Sequence, residues 1–127
     1  MIPSAISDWL QIQAASKSGY YELTFAEHHL GNIWIRSLHG GVSGAAIEMA
    51  AQAETLKAFK DPNAAITIIS NSIDYLRITR DVNLHLKAEI TRLSRRLSVV
   101  EVTCWQDDEN SPTARGIVTL KITSETK

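Results

Sequence analysis

A single carboxylate is the first residue in this sequence whose setting points to chemistry. Glu48 is the only charged residue between Gly40 and Ala53, a segment rich in alanine. Burial of an unpaired carboxylate is costly, so such a residue either has a structural partner or works as a general base. Pairing with an arginine and placement in a polar crevice are the structural alternatives. Because the rest of the segment avoids charge, we favour a catalytic Glu48.

The same segment starts with a glycine pair, His39-Gly40-Gly41. The start of a helix leaves backbone N–H groups unpaired and carries a partial positive charge. Glycines let a ligand approach those N–H groups closely. Gly40 and Gly41 can therefore bind the oxyanion of a tetrahedral intermediate and the substrate around it. Taken alone, the motif fits a plain glycine turn before a helix equally well.

Basic residues are concentrated in one stretch of the chain. Between residues 77 and 96, six basic residues face two acidic ones, although the net charge of the whole chain is -1. A pair of adjacent arginines in a strand turn is suited to gripping phosphates. We expect phosphate contacts here, while a solvated charged face explains any one of these arginines equally well. The arginines expected to contact substrate are Arg77, Arg95 and Arg96.

Several other functions are not expected from the sequence. His28 and His29 have no further histidine or cysteine at a metal-ligand spacing, so we expect no metal. No glycine-rich dinucleotide motif or P-loop is present, and no cofactor is expected. The small net charge gives no general attraction to nucleic acid or to a membrane surface. No run of about 18 apolar residues exists that would span a bilayer.

Length and composition indicate one domain over residues 1–127. The hydrophobic content of 44% can supply a core, and the charged content of 21% is ordinary for a soluble protein. The first residues show no basic region followed by a long apolar run, so we expect no secretory signal. Cys104 is the only cysteine, which fits a reducing cytoplasm. We therefore expect a cytoplasmic location.

The first third of the chain predicts one helix and two strands. Residues 4–16 have apolar residues near helical spacing and serines that can cap the helix, so they predict a short N-terminal helix. Tyr20–Glu27 and Ile33–Ser37 are predicted strands, joined by a turn at residues 29–32. These elements precede the segment that carries Glu48.

The remaining elements predict one sheet around one buried helix. Gly40 to Phe59 is apolar over most of its circumference, which is typical of a buried helix. Short polar turns between the strands that follow imply an antiparallel meander. An α+β fold with one antiparallel sheet wrapped around one long helix is called a hotdog. The predicted strands are Ala65–Tyr75, Val82–Arg92, Leu97–Trp105 and Ala114–Thr123.

At this point the sequence resembles hotdog thioesterases of the phenylacetate-degradation (PaaI-like) type over roughly residues 20–123. The resemblance rests on His39-Gly40-Gly41-Val42 with an acid nine residues after the histidine, on 72–77 (Ser-Ile-Asp-Tyr-Leu-Arg), on 94–102 (Ser-Arg-Arg-Leu-Ser-Val-Val-Glu-Val) and on 114–120. It implies hydrolysis of acyl-CoA or aroyl-CoA. Glu48 would activate water or attack the thioester, the Gly40 N–H would hold the carbonyl oxygen, and His39 would shape the turn.

The sequence departs from this family's pattern at several positions. The family often has an asparagine six residues before the histidine; here Ile33 holds that place and Asn32, the residue before it, is the candidate counterpart. A serine or threonine that orients the base aligns with Ile68, with Thr67 beside it, so this role is unassigned. Ile78 replaces a usual proline, and Ser94 replaces a usual glycine.

Helix geometry predicts an active site shared between two chains. Gly40 and Glu48 lie eight residues apart, which is ~12 Å along a helix. A base and an oxyanion donor must both reach one carbonyl group, so a two-fold axis that pairs Gly40 of one chain with Glu48 of the other is expected. We therefore expect a homodimer that pairs further into a tetramer.

Two other functions are compatible with the same fold. Hotdog dehydratases and hydratases of acyl thioesters also pair a histidine with a helical acid, although at a spacing about five residues longer. A non-catalytic protein that binds acyl-CoA is the other alternative. The spacing of nine residues and the His-Gly-Gly motif favour the thioesterase.

Overall fold

A computed structural model gives the protein's structure and describes residues 5–32, 34–61 and 63–123. It contains two α-helices and eight strands within those residues. Six strands form one antiparallel sheet, and the other two form a small hairpin. In chain order the elements are α1 (Ala5–Leu10), β1 (Ile12–Ala14), β2 (Tyr20–Leu23), β3 (Leu30–Asn32), β4 (Ser37–Leu38), α2 (Gly40–Ala58), β5 (Ala65–Tyr75), β6 (Leu84–Leu93), β7 (Leu97–Trp105) and β8 (Ala114–Thr123).

The core lies between α2 and the inner face of the large sheet. On the helix, Ala46, Ala50 and Ala51 are fully buried, and their small side chains let the helix axis approach the strands closely. Gly116 on β8 serves the same purpose, because a Cβ there would lie 2.8 Å from Cγ2 of Ile47. Each large apolar side chain buried in this layer contributes roughly 1.5–3 kcal/mol. On the sheet, the layer includes Leu84, Leu86, Val100, Val102, Val118 and Leu120.

The strand order differs in part from a simple meander. The six strands follow the order β1-β2-β6-β7-β8-β5. The sequential pairing of β6, β7 and β8 is as predicted, but β5 pairs with β8 and not with β6. The register runs from Ala65 opposite Thr123 to Tyr75 opposite Ala114. At this edge of the sheet the inner face of β5 contacts α2. The loop of residues 76–83 then crosses three strands' width, roughly 14 Å, to start β6.

The predicted alternation of β6 is confirmed. Leu84, Leu86 and Ala88 are buried and Ile90 is partly buried, as expected for the inner face. The strand begins at Leu84, two residues later than predicted. The observed bounds of β5, β7 and β8 agree with the predicted ones, and α2 ends one residue before the predicted limit at Phe59, which caps it.

The prediction of one helix over residues 4–16 is wrong beyond Leu10. Gln11 adopts a left-handed conformation with φ of 58°, and its N–H closes the last turn on the carbonyl oxygen of Ser7 at 2.9 Å. The chain then extends as β1, in which Ile12 pairs with Leu23 of β2 and is buried. A helix of six residues is only marginally stable by itself, so beyond Leu10 the chain gains more by pairing with the sheet. Residue 4 lies outside the described residues.

The stretch between β2 and α2 also differs from its prediction. β2 ends at Leu23 and not at residue 27, because the Phe25 N–H leaves the sheet to donate to Oδ1 of Asn83 at 2.8 Å. Residues 30–32, predicted as a turn, form β3, and residues 34–36, predicted as strand, form the turn that joins β3 to β4. Arg36 holds this turn by ion pairs to Glu27 and Asp81 at 2.7 and 2.6 Å. Residue 33 lies outside the described residues.

The architecture is the predicted α+β hotdog, in which an antiparallel sheet wraps around one long helix. Along the described chain, no helix is both long and apolar enough to cross a bilayer.

Candidate functional site

The first turn of α2 is held by a histidine cap. His39 is the N-cap residue, in extended conformation, and its Nδ1 accepts a hydrogen bond from the Gly41 N–H at 2.9 Å. The next N–H, of Val42, donates to the carbonyl oxygen of His39 at 2.8 Å. The Gly40 N–H makes no hydrogen bond to any described residue. Of the amides at this helix start, Gly40 is thus the one left for a ligand, and the Gly41 N–H expected to contact substrate is occupied by the cap.

Gly41 has a steric reason to lack a side chain. A Cβ at this position would lie 3.0 Å from Nδ1 of His39, which is closer than side-chain carbons normally approach a neighbour. Its role in the structure is therefore to let His39 close over the helix start. Because Nδ1 of His39 accepts this hydrogen bond, Nε2 is the ring nitrogen left to donate.

Tyr75, at the end of β5, packs against the glycines of the same turn. Its hydroxyl donates a hydrogen bond to the carbonyl oxygen of Gly40 at 2.8 Å. Gly44 lies one turn further along the same helix face, and a Cβ there would meet Cδ1 of Ile73 at 3.3 Å. The strand end and the helix start therefore fit together through two glycines. This fixes the Gly40–Gly41 peptide, next to the peptide that carries the Gly40 N–H.

A cleft of about 380 Å³ opens beside Gly40. One wall is the β3–β4 hairpin and the start of α2, and the other is the chain that leaves β5. Most of the lining is apolar, with Arg77 as its only charged side chain. Such a cleft can take an apolar group next to an oxyanion donor. The lining residues are Ile35, Ser37, Leu38, Gly40, Ser43, Tyr75, Leu76, Arg77, Ile78 and Thr79.

Glu48 lies two turns beyond Gly40 on α2 and is partly buried. Its Oε2 accepts a hydrogen bond from Nδ2 of Asn71 on β5 at 2.9 Å. No cationic partner pairs with it among the described residues, so the arginine pairing considered for Glu48 is not found there. The carboxylate is held by a neutral amide, and Oε1 makes no hydrogen bond to any described residue. This arrangement suits a base that must accept a proton.

Asn71 reaches the helix because of a β-bulge in β5. The pairing with β8 shifts between Ile68 and Ser70, so that one extra residue lies on β5. Before the bulge, Ile66 and Ile68 face α2; after it, residues 71 and 73 do. Strict alternation from Ile68 would have turned Asn71 to the outer face. For this reason Asn71 could not be predicted from the alternation of the strand. The side chain that contacts Glu48 is Asn71, and not Thr67 or Ile68, the positions considered for a residue that orients the base.

The arginine pair lies at the other end of the sheet from Gly40. Arg95 and Arg96 are exposed in the β6–β7 turn, where the Arg96 carbonyl oxygen accepts from the Ile122 N–H at 2.9 Å. The Gly40 end of the sheet is marked by Tyr75, and seven residues of β7 separate the two ends, which is about 23 Å. Within one chain, the structure brings Arg77 to Gly40 but does not bring Arg95 and Arg96 there.

One further predicted site residue, Asn32, ends β3, and its side chain lies outside the described part of the chain. No cluster of histidine, cysteine and acidic side chains among the described residues could hold a metal ion.

Burial raises the pKa of the Cys104 thiol to about 12, so this cysteine has no thiolate at neutral pH and is no nucleophile. The second buried acid of α2, Glu54, is bonded to Tyr21 at 2.7 Å and to Lys57 at 2.9 Å and belongs to the core.

Comparison with known proteins agrees with this fold. A family model described as acyl-CoA thioesterase N-terminal domain matches residues 32–121. A thioesterase from Haemophilus influenzae is 18% identical, with a TM-score of 0.82 over 95% of this chain and 84% of that one. A conserved protein from Pseudomonas aeruginosa is 22% identical, with a TM-score of 0.82 over 95% of both chains. A Bacillus halodurans protein solved with CoA is 16% identical, with a TM-score of 0.80 over 96% of this chain and 78% of that one. A comparison with curated proteins gives no match.

Proposed function

The chain belongs to the acyl-CoA thioesterase N-terminal domain family, and we propose that it hydrolyses acyl-CoA or aroyl-CoA thioesters to the free acid and CoA. The observation that carries this proposal is a Gly40 N–H with no partner among the described residues, beside an apolar cleft, together with a partly buried carboxylate at Glu48. The first can hold a carbonyl oxygen and the second can take a proton from water. No metal or cofactor enters the proposal.

The reaction would use these two groups together. The thioester carbonyl oxygen accepts a hydrogen bond from the Gly40 N–H, where the helix start favours negative charge. Glu48 removes a proton from a water molecule as its oxygen attacks the carbonyl carbon, which gives a tetrahedral oxyanion. The C–S bond then breaks, and the CoA thiolate takes up the proton from Glu48. Direct attack by the Glu48 carboxylate, followed by hydrolysis of the resulting anhydride, uses the same two groups.

The two groups would come from different chains. Gly40 and Glu48 stand ~12 Å apart along α2, which is too far for both to reach one carbonyl group. A two-fold pairing of chains would place Glu48 of one beside Gly40 of the other. A homodimer is therefore part of the proposal, and pairing of dimers into a tetramer extends it.

The free edge of β5 supports a partner at this position. β5 pairs only with β8 among the described strands, although it is eleven residues long, and long bare edges are normally covered. Ile69 on β5 and Ile117 on β8 are large apolar side chains left more than 45% exposed in the single chain. Because Asn71 and Tyr75 lie on the same strand, a partner at this edge would lie near both ends of the site.

CoA recognition is assigned to the arginines. Arg77 lies in the cleft beside Gly40, and Arg95 and Arg96 form an exposed cationic pair. Guanidinium groups bind phosphates by two parallel hydrogen bonds, which matches the diphosphate and 3′-phosphate of CoA. The Bacillus halodurans relative was solved with CoA, which agrees with this substrate class.

A panel of acyl-CoA and aroyl-CoA esters with a thiol reagent tests the proposal. Release of free thiol in proportion to enzyme, with loss of that release in Glu48→Gln, is the expected result. Loss or gain of water on an enoyl-CoA or hydroxyacyl-CoA without thiol release would identify a dehydratase or hydratase. Binding of the esters without turnover would identify a non-catalytic binding protein.

A further inference from the structure

We propose that Asn71 is the positioning residue that orients the Glu48 carboxylate and aims its Oε1 at the water to be activated. This inference rests on the proposed thioesterase function and adds a residue to it. The observation is the contact between β5 and α2 in the same chain, in which Nδ2 of Asn71 donates to Oε2 of Glu48 at 2.9 Å.

The orientation of the Asn71 amide is fixed by its surroundings. Nδ2 lies 2.9 Å from the Glu48 carboxylate and 3.4 Å from the carbonyl oxygen of Gly44, and both of these groups only accept hydrogen bonds. A flipped amide would place Oδ1 against two acceptors, so only one orientation is allowed. The two N–H groups of the amide therefore tie the carboxylate to the backbone of the turn before it.

The amide makes this contact at a cost to the fold. Oδ1 of Asn71 is buried and has no hydrogen-bond partner among the described residues. It faces the backbone of β8 at Gly116, where a Cβ would lie 3.5 Å from it. A buried unpaired acceptor destabilises a protein, and a leucine of similar size would not carry that cost. The bulge at residue 69 is a second irregularity that serves the same contact. Two unfavourable features that converge on one carboxylate point to a role in its chemistry.

The contact gives the Glu48 carboxylate a defined orientation. A neutral amide holds Oε2 on the side of β5 without forming an ion pair. Oε1 makes no hydrogen bond to any described residue, so it is the oxygen proposed to take the proton from water. Asn71 itself does not touch the reacting atoms, since its amide is buried behind the carboxylate.

No other titratable side chain on the packed elements competes for this role. On α2, the nearest ionisable residues are Glu54 and Lys57, which pair with each other. On β5, the Tyr75 hydroxyl is bonded to Gly40. The charged residues of the strands that pack against α2 lie on the outer face of the sheet: Asp74 on β5, Arg115 and Lys121 on β8, Glu101 on β7, and His85, Lys87, Glu89 and Arg92 on β6.

The test compares two Asn71 variants with the same changes at Ser72, which is the next residue and faces the opposite side of the sheet. Asn71→Ala removes the donor, and Asn71→Asp keeps the shape but replaces the donor with a second acid. We expect kcat to fall ~10-fold or more in both. KM should change little, so the loss should lie in kcat. Ser72→Ala and Ser72→Asp should leave kcat unchanged.

A second measurement separates this inference from the thioesterase proposal. The Glu48 side-chain carboxyl carbon can be followed by NMR at one fixed pH in protein labelled at glutamate, with Glu48→Gln identifying its signal. The signal should shift in Asn71→Ala and Asn71→Asp and stay in place in Ser72→Ala, whether or not any ester is cleaved, because only the Asn71 variants lose the hydrogen bond to Oε2. An unmoved signal in folded Asn71→Ala and Asn71→Asp, or an unchanged kcat in both, would overturn the role of Asn71. Absence of thiol release by the unaltered protein would overturn the thioesterase while leaving the NMR result to decide on Asn71.

Discussion

The hydroxyl of Tyr75 donates a 2.8 Å hydrogen bond to the carbonyl oxygen of Gly40, the residue whose N–H is the candidate oxyanion donor. The end of β5 thus holds the Gly40–Gly41 peptide, which adjoins the peptide that carries the Gly40 N–H. Four residues earlier on the same face of the strand, Asn71 contacts Glu48. One strand therefore supports both functional groups of the helix.

Loss of this hydroxyl should weaken catalysis more than stability. In Tyr75→Phe the Gly40 peptide loses one neutral hydrogen bond, which stabilises the fold by about 0.5–1.5 kcal/mol. We expect kcat to fall by several-fold up to about 10-fold, because the peptide next to the oxyanion donor is then held less firmly. Tyr20→Phe is the matched control, since the Tyr20 hydroxyl makes only long contacts to Glu109. Equal kcat values in Tyr75→Phe and in the control would show that the hydrogen bond from Tyr75 to Gly40 has no part in catalysis.

Substitution of glutamine for each of the two acids of α2 should affect activity and stability differently. Glu48→Gln keeps the size of the side chain but removes the base, so kcat should fall at least ~100-fold while the thermal midpoint changes little. Glu54→Gln is the comparison, because Glu54 bonds Tyr21 and Lys57 in the core. It should lower the free energy of unfolding and leave kcat within a few-fold. Thiol release and thermal melts on both variants measure this contrast, and an active, folded Glu48→Gln would remove Glu48 from the mechanism.

The arginine pair should affect KM and not kcat. Replacement of Arg95 and Arg96 by alanine removes two cations from an exposed turn, so KM for CoA esters should rise and its dependence on salt should weaken. Arg115→Ala is the control, because Arg115 is a cation on the outer face, 3.8 Å from Glu101. Steady-state kinetics at low and moderate salt measure the effect. If the double variant and the control have the same KM at both salt concentrations, the pair is only a solvated surface.

Acid should destabilise the fold through His29. Burial lowers the pKa of His29 below 6.5, while hydrogen bonds to backbone oxygens near Trp9 partly oppose this. The unfolded chain therefore binds a proton at a pH where the folded chain does not. Stability present above pH 6.5 is lost as pH falls from 6.5 toward the lowered pKa. Thermal midpoints measured from pH 7.5 to 5 should fall less steeply in His29→Gln than in His85→Gln, and parallel curves for the two variants would contradict the assignment.

The sequence predicted the large elements well because their patterns are local. The alternation of β6 and the uncharged surface of α2 each follow from the burial of one face, and the fold class follows from both. Gly40, His39 and Glu48 were likewise predicted as site residues from their types and spacing, and the helix that carries Gly40 and Glu48 is as predicted. Asn71 was not predicted. The bulge at residue 69 changes the face of the sheet on which the following side chains lie, and no residue type in β5 indicates a bulge there. The partner of β5 was also wrongly expected, since strand order depends on contacts far apart in the chain.

Short elements were predicted least well for a related reason. The helix predicted over residues 4–16 gives way at Gln11 to a strand whose stability comes from β2. Residues 30–38 form a hairpin fixed by Arg36, whose acidic partners lie nine and 45 residues away. Such long-range interactions override weak local preferences.

Each site is proposed to combine Gly40 of one chain with Glu48 of another, and complementation between two inactive variants tests this arrangement. Glu48→Ala removes the base, and Gly40→Pro removes the N–H at a helix position that tolerates proline, after a His39 whose backbone is already extended. Each variant alone should be nearly inactive. Co-refolded in equal amounts, half the dimers should be mixed, each with one intact site, and about a quarter of the unaltered activity should return. If mixed dimers form and the mixture stays as inactive as its parents, the shared site is contradicted.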